Sequence, residues 1–355
     1  MNEEWLNRIA LTWGNKIRLR NIRQVLDEYG SATEVIKQHP NLINHDAIRF
    51  AQKELEFIEK HHIQTFFYKD DNYPYRLAQC PDSPLLLYAK GNMDVNPQHV
   101  VSIVGTRMPS ERGKDWCRNF VKELATQISD LTIVSGLAYG IDVTAHKAAL
   151  EFGIPTLIIP AHGLDRIYPS THRNIAIRAL DNGGILTEYT TNTEPERFNF
   201  VARNRIIAGM ADAVIVVESK KKGGSLITAD MAVDYGRDVF ALPGRIDDIS
   251  SAGCNDLIKR NKAQLIESAD ELISAMQWKK KGGPTNSTQL ELMYELSPQQ
   301  QLLLNILREA EEGVHINQLI METHIAYNIV SSELIMMELN DVVKSMPGGI
   351  WRIKK

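Results

Sequence analysis

Val100-Val101-Ser102-Ile103-Val104-Gly105-Thr106-Arg107 decides the fold. Its first five residues are apolar or β-branched apart from one serine, so neither face of the segment is polar. A short run of this kind reads as a strand covered on both sides, as in a parallel sheet. Gly105 ends the run, and a helical stretch covers 113–128. The same phrase then repeats. Leu131 to Val134 ends in Ser135-Gly136 and leads into a helix from Asp142 to Phe152. Thr156 to Pro160 is a third strand. Ala213 to Glu218 is followed by Gly223-Gly224-Ser225 and a helix from Leu226 to Tyr235. Asp238 to Leu242 ends at Pro243-Gly244. Short buried strands alternating with helices predict β-α-β units in a doubly wound, mostly parallel α/β sheet.

The flanks have a different character. Residues 1–60 show helical spacing from Glu4 to Trp13, Lys16 to Glu28 and Asn44 to Glu59, punctuated by Gly14 and Gly30. Within them, Lys16, Arg18, Arg20 and Arg23 alternate with aliphatic residues, as a phosphate-contacting helix or a solvated face would. Residues 63–95 read as irregular, because Tyr73-Pro74, Cys80-Pro81 and Ser83-Pro84 break any period. Residues 277–296 have the composition of a linker. Beyond it, Ser297-Pro298 starts a helix to Glu311, with Ser at the cap and Pro at the first position. Helices from Ile316 to Glu322 and Ile329 to Asn340 follow, and then two strands around Pro347-Gly348-Gly349. Three helices and a terminal hairpin predict a winged helix. The helix from Ile329 carries no Arg or Lys, so readout of duplex bases is not expected from it. The domain reading is a small helical domain over 1–65, the α/β domain over 66–276, a linker over 277–296 and the winged helix over 297–355.

Composition narrows the chemistry. The chain has 355 residues, 43% of them hydrophobic, and a net charge of -4 from 40 basic and 44 acidic residues. No apolar run approaches the ~18 residues of a membrane span, and the acidic start at Met1-Asn2-Glu3-Glu4 does not have the order of a signal peptide. A cytoplasmic protein with no membrane contact is expected. Cys80, Cys117 and Cys254 are too widely spaced for a disulfide framework or a metal knuckle. No His-Glu-x-x-His occurs, and neither a metal nor a cofactor is predicted. No segment is basic in bulk, so an anionic partner must be held by placed arginines and backbone amides.

Ligands of open α/β sheets sit at the carboxyl ends of the strands. The residues there are Gly105-Thr106-Arg107, Ser135-Gly136-Leu137-Ala138, Ala161-His162-Gly163 and Lys222-Gly223-Gly224-Ser225. Glycine permits close backbone approach, helix N-termini attract anions, and Arg107 is suited to a bidentate phosphate grip. There is no Gly-x-Gly-x-x-Gly fingerprint and no phosphate loop of the ATPase kind, which disfavours dinucleotide binding and ATP hydrolysis. Ser225 and Thr228 suit either an anion site or a helix cap. Arg203-Asn204-Arg205 reads as a pair of phosphate contacts near a strand end or as members of structural ion pairs. Asp142 and His146 share a helix face, as a metal-binding or acid-base pair would, and the simpler reading is that Asp142 caps the helix and His146 bonds locally. Glu188 is read as an ion-pair partner of Arg203 or Arg205.

Taken together, these stretches resemble the bacterial DNA-processing protein A (DprA, also called Smf) family. The resemblance is carried by Ser102-Ile-Val-Gly-Thr-Arg107, Ser135-Gly-Leu-Ala-Tyr-Gly-Ile-Asp-Val-Thr-Ala-His146, Gly163-Leu-Asp-Arg-Ile-Tyr-Pro169 and Thr187-Glu-Tyr189. Phe200-Val-Ala-Arg-Asn-Arg-Ile-Ile-Ala-Gly209, Gly224-Ser-Leu-Ile-Thr-Ala229 and Gly236-Arg-Asp-Val-Phe-Ala-Leu-Pro-Gly244 follow in the family's order. Arg260-Asn261-Lys262-Ala263 stands where the family usually has Gly-Ala. The resemblance implies an extended Rossmann-like core that self-associates as a homodimer, with a helical domain of the SAM or helix-hairpin-helix kind before it. It also implies a protein that is not an enzyme. Such a protein binds and protects single-stranded DNA with little sequence preference and loads RecA recombinase onto it, in natural transformation and recombination. By the same resemblance, the Gly105-Thr106-Arg107 turn contacts phosphate, and the basic position after Tyr168-Pro169 corresponds to Arg173. Ser135, Gly136, Arg203, Asn204, Arg205, Lys222, Gly223, Gly224, Ser225 and Thr228 border the same pocket. The rival is an enzyme acting on a nucleotide or phosphoribosyl substrate, with Glu188 or Asp142 as its carboxylate.

Overall fold

The computed structural model describes residues 3–13, 19–281, 296–308, 310, 313–340, 342–346 and 348–353. The chain divides into two compact units, Met1–Lys281 and Gly282–Lys355.

The first unit is built on one sheet. Its strands are β1 (Gln64–Phe67), β2 (Leu86–Lys90), β3 (His99–Val104), β4 (Leu131–Ser135), β5 (Thr156–Ile158), β6 (Gly183–Thr187), β7 (Ala213–Val216), β8 (Asp238–Ala241) and β9 (Gln264–Leu265). Their order across the sheet is β1-β2-β6-β5-β4-β3-β7-β8-β9. The seven strands from β3 to β9 are parallel, whereas β2 runs antiparallel to both β6 and β1. Every residue of β3 is buried, because alternate side chains enter different cores. Val100 and Val104 join the layer that contains Ile206, Ala229 and Leu257, while Val101 and Ile103 join the layer that contains Phe120, Val121 and Ala145. A strand buried on both faces has no polar face to show, which is why it reads in the sequence as a continuous apolar run rather than as an alternation.

Helices cover both faces. They are α1 (Glu3–Thr12), α2 (Leu19–Tyr29), α3 (Ala32–Gln38), α4 (His45–His61), α5 (Tyr75–Ala78), α6 (Glu111–Gln127), α7 (Ile141–Glu151), α8 (Arg173–Asp181), α9 (Arg197–Gly209), α10 (Gly224–Asp234), α11 (Ala252–Lys259) and α12 (Ala269–Ala275). The region read as irregular, 63–95, contains β1, α5 and β2. The prolines do break it, but into pieces short enough to pair at the sheet edge, and Tyr88 and Ala89 align with Thr187 and Leu186 of β6. The N-terminal helices share a core with these edge strands: Leu26, Ala51 and Leu55 pack with Phe67, Leu86 and Tyr88. Residues 277–281 remain on the first unit, since Trp278 packs on its core and the Lys281 amide bonds Gln127 O. Lys16 and Arg18 of the basic stretch, and 282–295 of the linker stretch, lie outside the described residues.

The second unit has α13 (Pro298–Arg308), β10 (Val314–His315), α14 (Ile316–Thr323), α15 (Tyr327–Leu339), β11 (Val343–Met346) and β12 (Ile350–Ile353). β12 lies between β10 and β11 in an antiparallel sheet. Ser297 caps α13 as its sequence predicts: the Gln300 amide donates to its hydroxyl at 3.2 Å, and the Ser297 amide donates to Gln300 Oε1 at 2.9 Å. Strand β10, too short to have a sequence signature, completes the sheet. The predicted helix end Glu311, and the turn residue Pro347, fall outside the described residues.

Candidate nucleic-acid interface

The chain lays down β3, β4, β5 and β6 in one direction and then returns to place β7 on the other side of β3. The turns after β3 and β7 therefore diverge and leave a crevice between them. A groove of about 1020 Å³ opens there. It is lined by Gly105, Thr106 and Arg107 from the β3 turn, by Phe200 and Asn204 of α9, and by Lys220 to Thr228 from β7 into α10. The lining holds seven Lys or Arg side chains against three Asp, in a chain whose acidic residues outnumber its basic ones. The positive field is thus local, produced by placement.

Hydrogen bonds fix the β3 turn. The Thr106 amide donates to Glu218 O at 2.7 Å, and Thr106 O accepts from the Ile141 amide at 3.2 Å. The Glu218 carboxylate accepts from the Ser110 amide at 2.9 Å and from the Ser110 hydroxyl, while that hydroxyl caps α6 by accepting from Gly113 N. A Cβ on Gly113 would run into the Glu218 carboxylate. Gly140 has a φ of 83° and a ψ of -125°, a conformation reserved for glycine, and a Cβ there would strike the Thr106 carbonyl and the Arg107 backbone. Arg107 is exposed, with its guanidinium 5.4 Å from the centroid of the Phe200 ring. The side of the turn that offers cations is held rigid without using the cation itself.

The α10 side is different in kind. Lys220, Lys221 and Lys222 are exposed. Ser225 is buried and donates to Ser219 Oγ at 2.9 Å, and a Cβ on Gly223 would meet that same Ser219 hydroxyl. Gly224 opens the helix with no atom near its Cβ position. Gly223 thus permits the tight Ser219–Ser225 contact, and Gly224 leaves the helix end bare toward the groove, where the helix dipole favours an anion.

Among the predicted site residues, Gly105, Thr106, Arg107, Asn204, Lys222, Gly223, Gly224, Ser225 and Thr228 line this one groove. Ser135, Gly136, Arg203, Arg205 and Arg173 are not in its lining. Ser135 donates to Ile103 O at 2.6 Å and so ties β4 to β3. The Arg203-Asn204-Arg205 stretch is at no strand end; it lies within α9. Its polar residues turn to different surroundings because successive helical positions point 100° apart. Arg203 is only 3% exposed. It donates to Gly136 O at 2.9 Å and to Ile159 O, and a Cβ on Gly136 would collide with its guanidinium. Arg205 is ion-paired with Glu188, as the sequence reading favoured. Arg173 is exposed at the start of α8; the preceding residue, His172, meets the Tyr139 ring edge to face.

Burial controls the ionisable groups beneath the groove. It raises the Asp142 carboxyl, with Arg203 acting against it, and it lowers the Arg203 guanidinium to about 10, with Asp142 acting against it. Burial likewise raises Glu188, against the pull of Arg205. His146 is driven down to about 3 by burial; its Nδ1 lies 2.7 Å from the Thr156 hydroxyl, whose own hydrogen goes to Ile133 O at 3.0 Å. The Asp142 carboxylate accepts from the Ala138 amide at 3.4 Å at the start of α7. Of the two carboxylates that a nucleotide-processing enzyme would use, Asp142 lies in the groove lining, while Glu188 is ion-paired with Arg205 through Oε2 and leaves its buried Oε1 without a hydrogen-bond partner. Among the described residues no cluster of His, Cys, Asp or Glu has metal-site geometry, and no helix is long and apolar enough to cross a membrane.

The motif search missed Arg197, Arg260 and Lys262, which also line the groove. Arg197 precedes its recognised motif. Arg260 and Lys262 come from a turn more than 150 positions beyond Gly105, and nothing in the local pattern marks them.

Comparison with known proteins gives a consistent picture. The family described as DNA recombination-mediator protein A matches residues 64–277, and the DprA winged helix domain matches 291–349. The chain is 40% identical over 214 residues to DNA processing protein DprA of Streptococcus pneumoniae, covering 60% of this chain and 74% of that protein. It is 34% identical over 289 residues to Protein Smf of Escherichia coli, covering 80% and 75%. The solved structure of the S. pneumoniae protein superposes with a TM-score of 0.61 at 34% identity over 76% of this chain and 92% of that one. A structure of DNA processing protein A from Helicobacter pylori, described for its single-stranded DNA binding mode, superposes with a TM-score of 0.54 at 30% identity, over 61% and 95%.

Proposed function

The chain belongs to the DNA recombination-mediator protein A family, and from that premise we propose that its groove binds single-stranded DNA through the phosphate backbone, without reading sequence. The observation that carries this reading is the groove itself. At one strand-end crevice an exposed arginine, a run of exposed lysines and a bare helix N-terminus converge, with seven cationic side chains in the lining against three carboxylates. Phosphate contacts of this kind fix the strand's path and leave the bases unread. Phe200, beneath the Arg107 guanidinium, and the exposed rings of Tyr139, Tyr168 and Phe198 offer faces on which any base can stack. The H. pylori relative, described for its single-stranded DNA binding mode, supports the same substrate. In this reading the protein performs no chemical step. It coats and protects the incoming strand, acts as a homodimer and hands the strand to RecA recombinase.

The test is fluorescence anisotropy with a labelled oligothymidine at two salt concentrations, with a matching duplex as control. Wild-type protein is expected to bind the single strand with a salt-dependent affinity. Arg107→Ala is expected to weaken binding about tenfold or more and to flatten the slope of log K against log salt by about 0.7, the share of one phosphate contact. An affinity indifferent to Arg107 would remove the groove as the binding site.

A further inference from the structure

The groove does not end at α10. Its far wall is made by α11 and the turn after it, with Asp256, Leu257, Arg260 and Lys262 in the lining. The turn is a well-defined helix stop. Asn261 takes a φ of 56°, its amide bonds Ile258 O, and the Lys262 amide reaches back to Leu257 O. This is the Schellman arrangement, with Asn in the left-handed position usually given to glycine. It places Arg260 and Lys262 on either side of the stop. In the free protein both cations hold carboxylates that line the same groove: Arg260 Nε is 2.9 Å from Asp256 and Lys262 Nζ is 2.6 Å from Asp230.

These pairs are poorly shielded from water. The Arg260 and Lys262 side chains are 65% and 43% exposed, and their acids 39% and 50%. Exposed pairs of this sort contribute little, so they are easily exchanged for a better anion. A phosphodiester entering from the Arg107 side would meet two cations whose present partners are weakly held. The arrangement has two consequences. The wall is electrically self-neutralised when empty, and the two aspartates compete with the ligand for it.

Resting on the single-stranded DNA reading above, we propose that Arg260 and Lys262 form a second phosphate-binding wall that lengthens the track, engaged by strands that extend past the Arg107–Lys222 segment and opposed by Asp230 and Asp256. Short strands seat at the β3 and α10 turns alone. Longer ones displace the aspartates and gain the extra contacts.

The experiment compares oligothymidines of ~6 and ~25 nucleotides, lengths on either side of common single-strand site sizes, by anisotropy on the full chain. The double variant Arg260→Ala/Lys262→Ala is expected to bind the long strand about tenfold more weakly and to flatten its salt slope by about 1.4, two contacts' worth, with the short strand unchanged within twofold. Asp230→Asn/Asp256→Asn is expected to do the opposite, tightening the long strand only. Equal loss on both lengths, or no loss on either, overturns the proposal. So does a change in molar mass by light scattering without any length dependence, which would make this wall a contact between copies. Arg107→Ala is the separate control. If it leaves both lengths unaffected, the groove reading itself has failed; if it weakens both while the double variant does nothing, only the second wall has failed.

Discussion

Replacing Arg203 by Met asks whether a motif arginine serves the ligand or the fold. Methionine keeps most of the length and the apolar stem and removes the donors. Two buried carbonyls, Gly136 O and Ile159 O, then lose the guanidinium, at about 1–3 kcal/mol each. Asp142 also loses the cation that most opposes the effect of its burial. These costs overlap, because Asp142 protonates rather than remain an isolated charge. A net loss of about 4 kcal/mol at pH 7 is the expectation, against a typical total of about 5–15 kcal/mol. Urea unfolding followed by tryptophan fluorescence measures it, since four of the five tryptophans (Trp5, Trp13, Trp116 and Trp278) lie in the first unit. The pH dependence gives an independent check. The Asp142 carboxyl is already raised in the wild type and rises further without Arg203, so the variant's folded state takes up the proton at higher pH than the wild type's. The deficit relative to wild type should then shrink from pH 7 toward pH 5, by up to about 1.4 kcal/mol per unit. Asp142→Asn should reduce the cost of the methionine substitution in a double-mutant cycle. A loss under about 1 kcal/mol combined with a tenfold drop in oligothymidine affinity would refute the structural role and return Arg203 to the ligand.

Two other expectations are simpler. Gly140→Ala forces a side chain into a glycine-only conformation and against the Thr106 carbonyl; it should cost about 2 kcal/mol or more and weaken oligothymidine binding by displacing the Arg107 turn, whereas an unchanged midpoint and affinity would mean the turn is not held there. His146 stays neutral when folded down to about pH 3 but gains a proton when unfolded below about 6.5. Its contribution to stability is therefore lost as pH falls through that window, by about 3 kcal/mol at pH 4. The gap between wild type and His146→Gln should narrow by that amount from pH 7 to pH 4, and parallel urea midpoints would count against it.

The central strands were legible because burial on both faces writes itself as uninterrupted aliphatic residues, and the turns because glycine marks where backbones must approach. Gly105, Gly140 and Gly223 each have a contact that excludes a side chain. Motif membership, however, did not separate residues that face the groove from residues that build its floor. Arg203, Asn204 and Arg205 are adjacent in sequence, yet the helix sends only Asn204 to the groove lining. Helical phase, not residue type, made that choice, and phase needs the helix boundaries that the sequence reading lacked. Strands β1 and β2 escaped notice for another reason: β2 pairs with β6, nearly 100 positions away, β1 joins the sheet only through β2, and no local pattern encodes a distant partner. Arg260 and Lys262 belong to the same class of long-range juxtaposition.

The clasp at the base of the β3 turn restricts how this sequence can drift. Glu218 fills the space that a side chain at position 113 would need, and its carboxylate satisfies Ser110, which in turn caps α6. A side chain at 113 overlaps the Glu218 carboxylate, and a shortened Glu218 leaves the Ser110 amide without its partner. A larger residue at 113 becomes tolerable only after Glu218 has shortened, and a shortened Glu218 becomes tolerable only with a different cap at 110. The three positions are physically coupled, and the rigidity of the groove's wall depends on all of them.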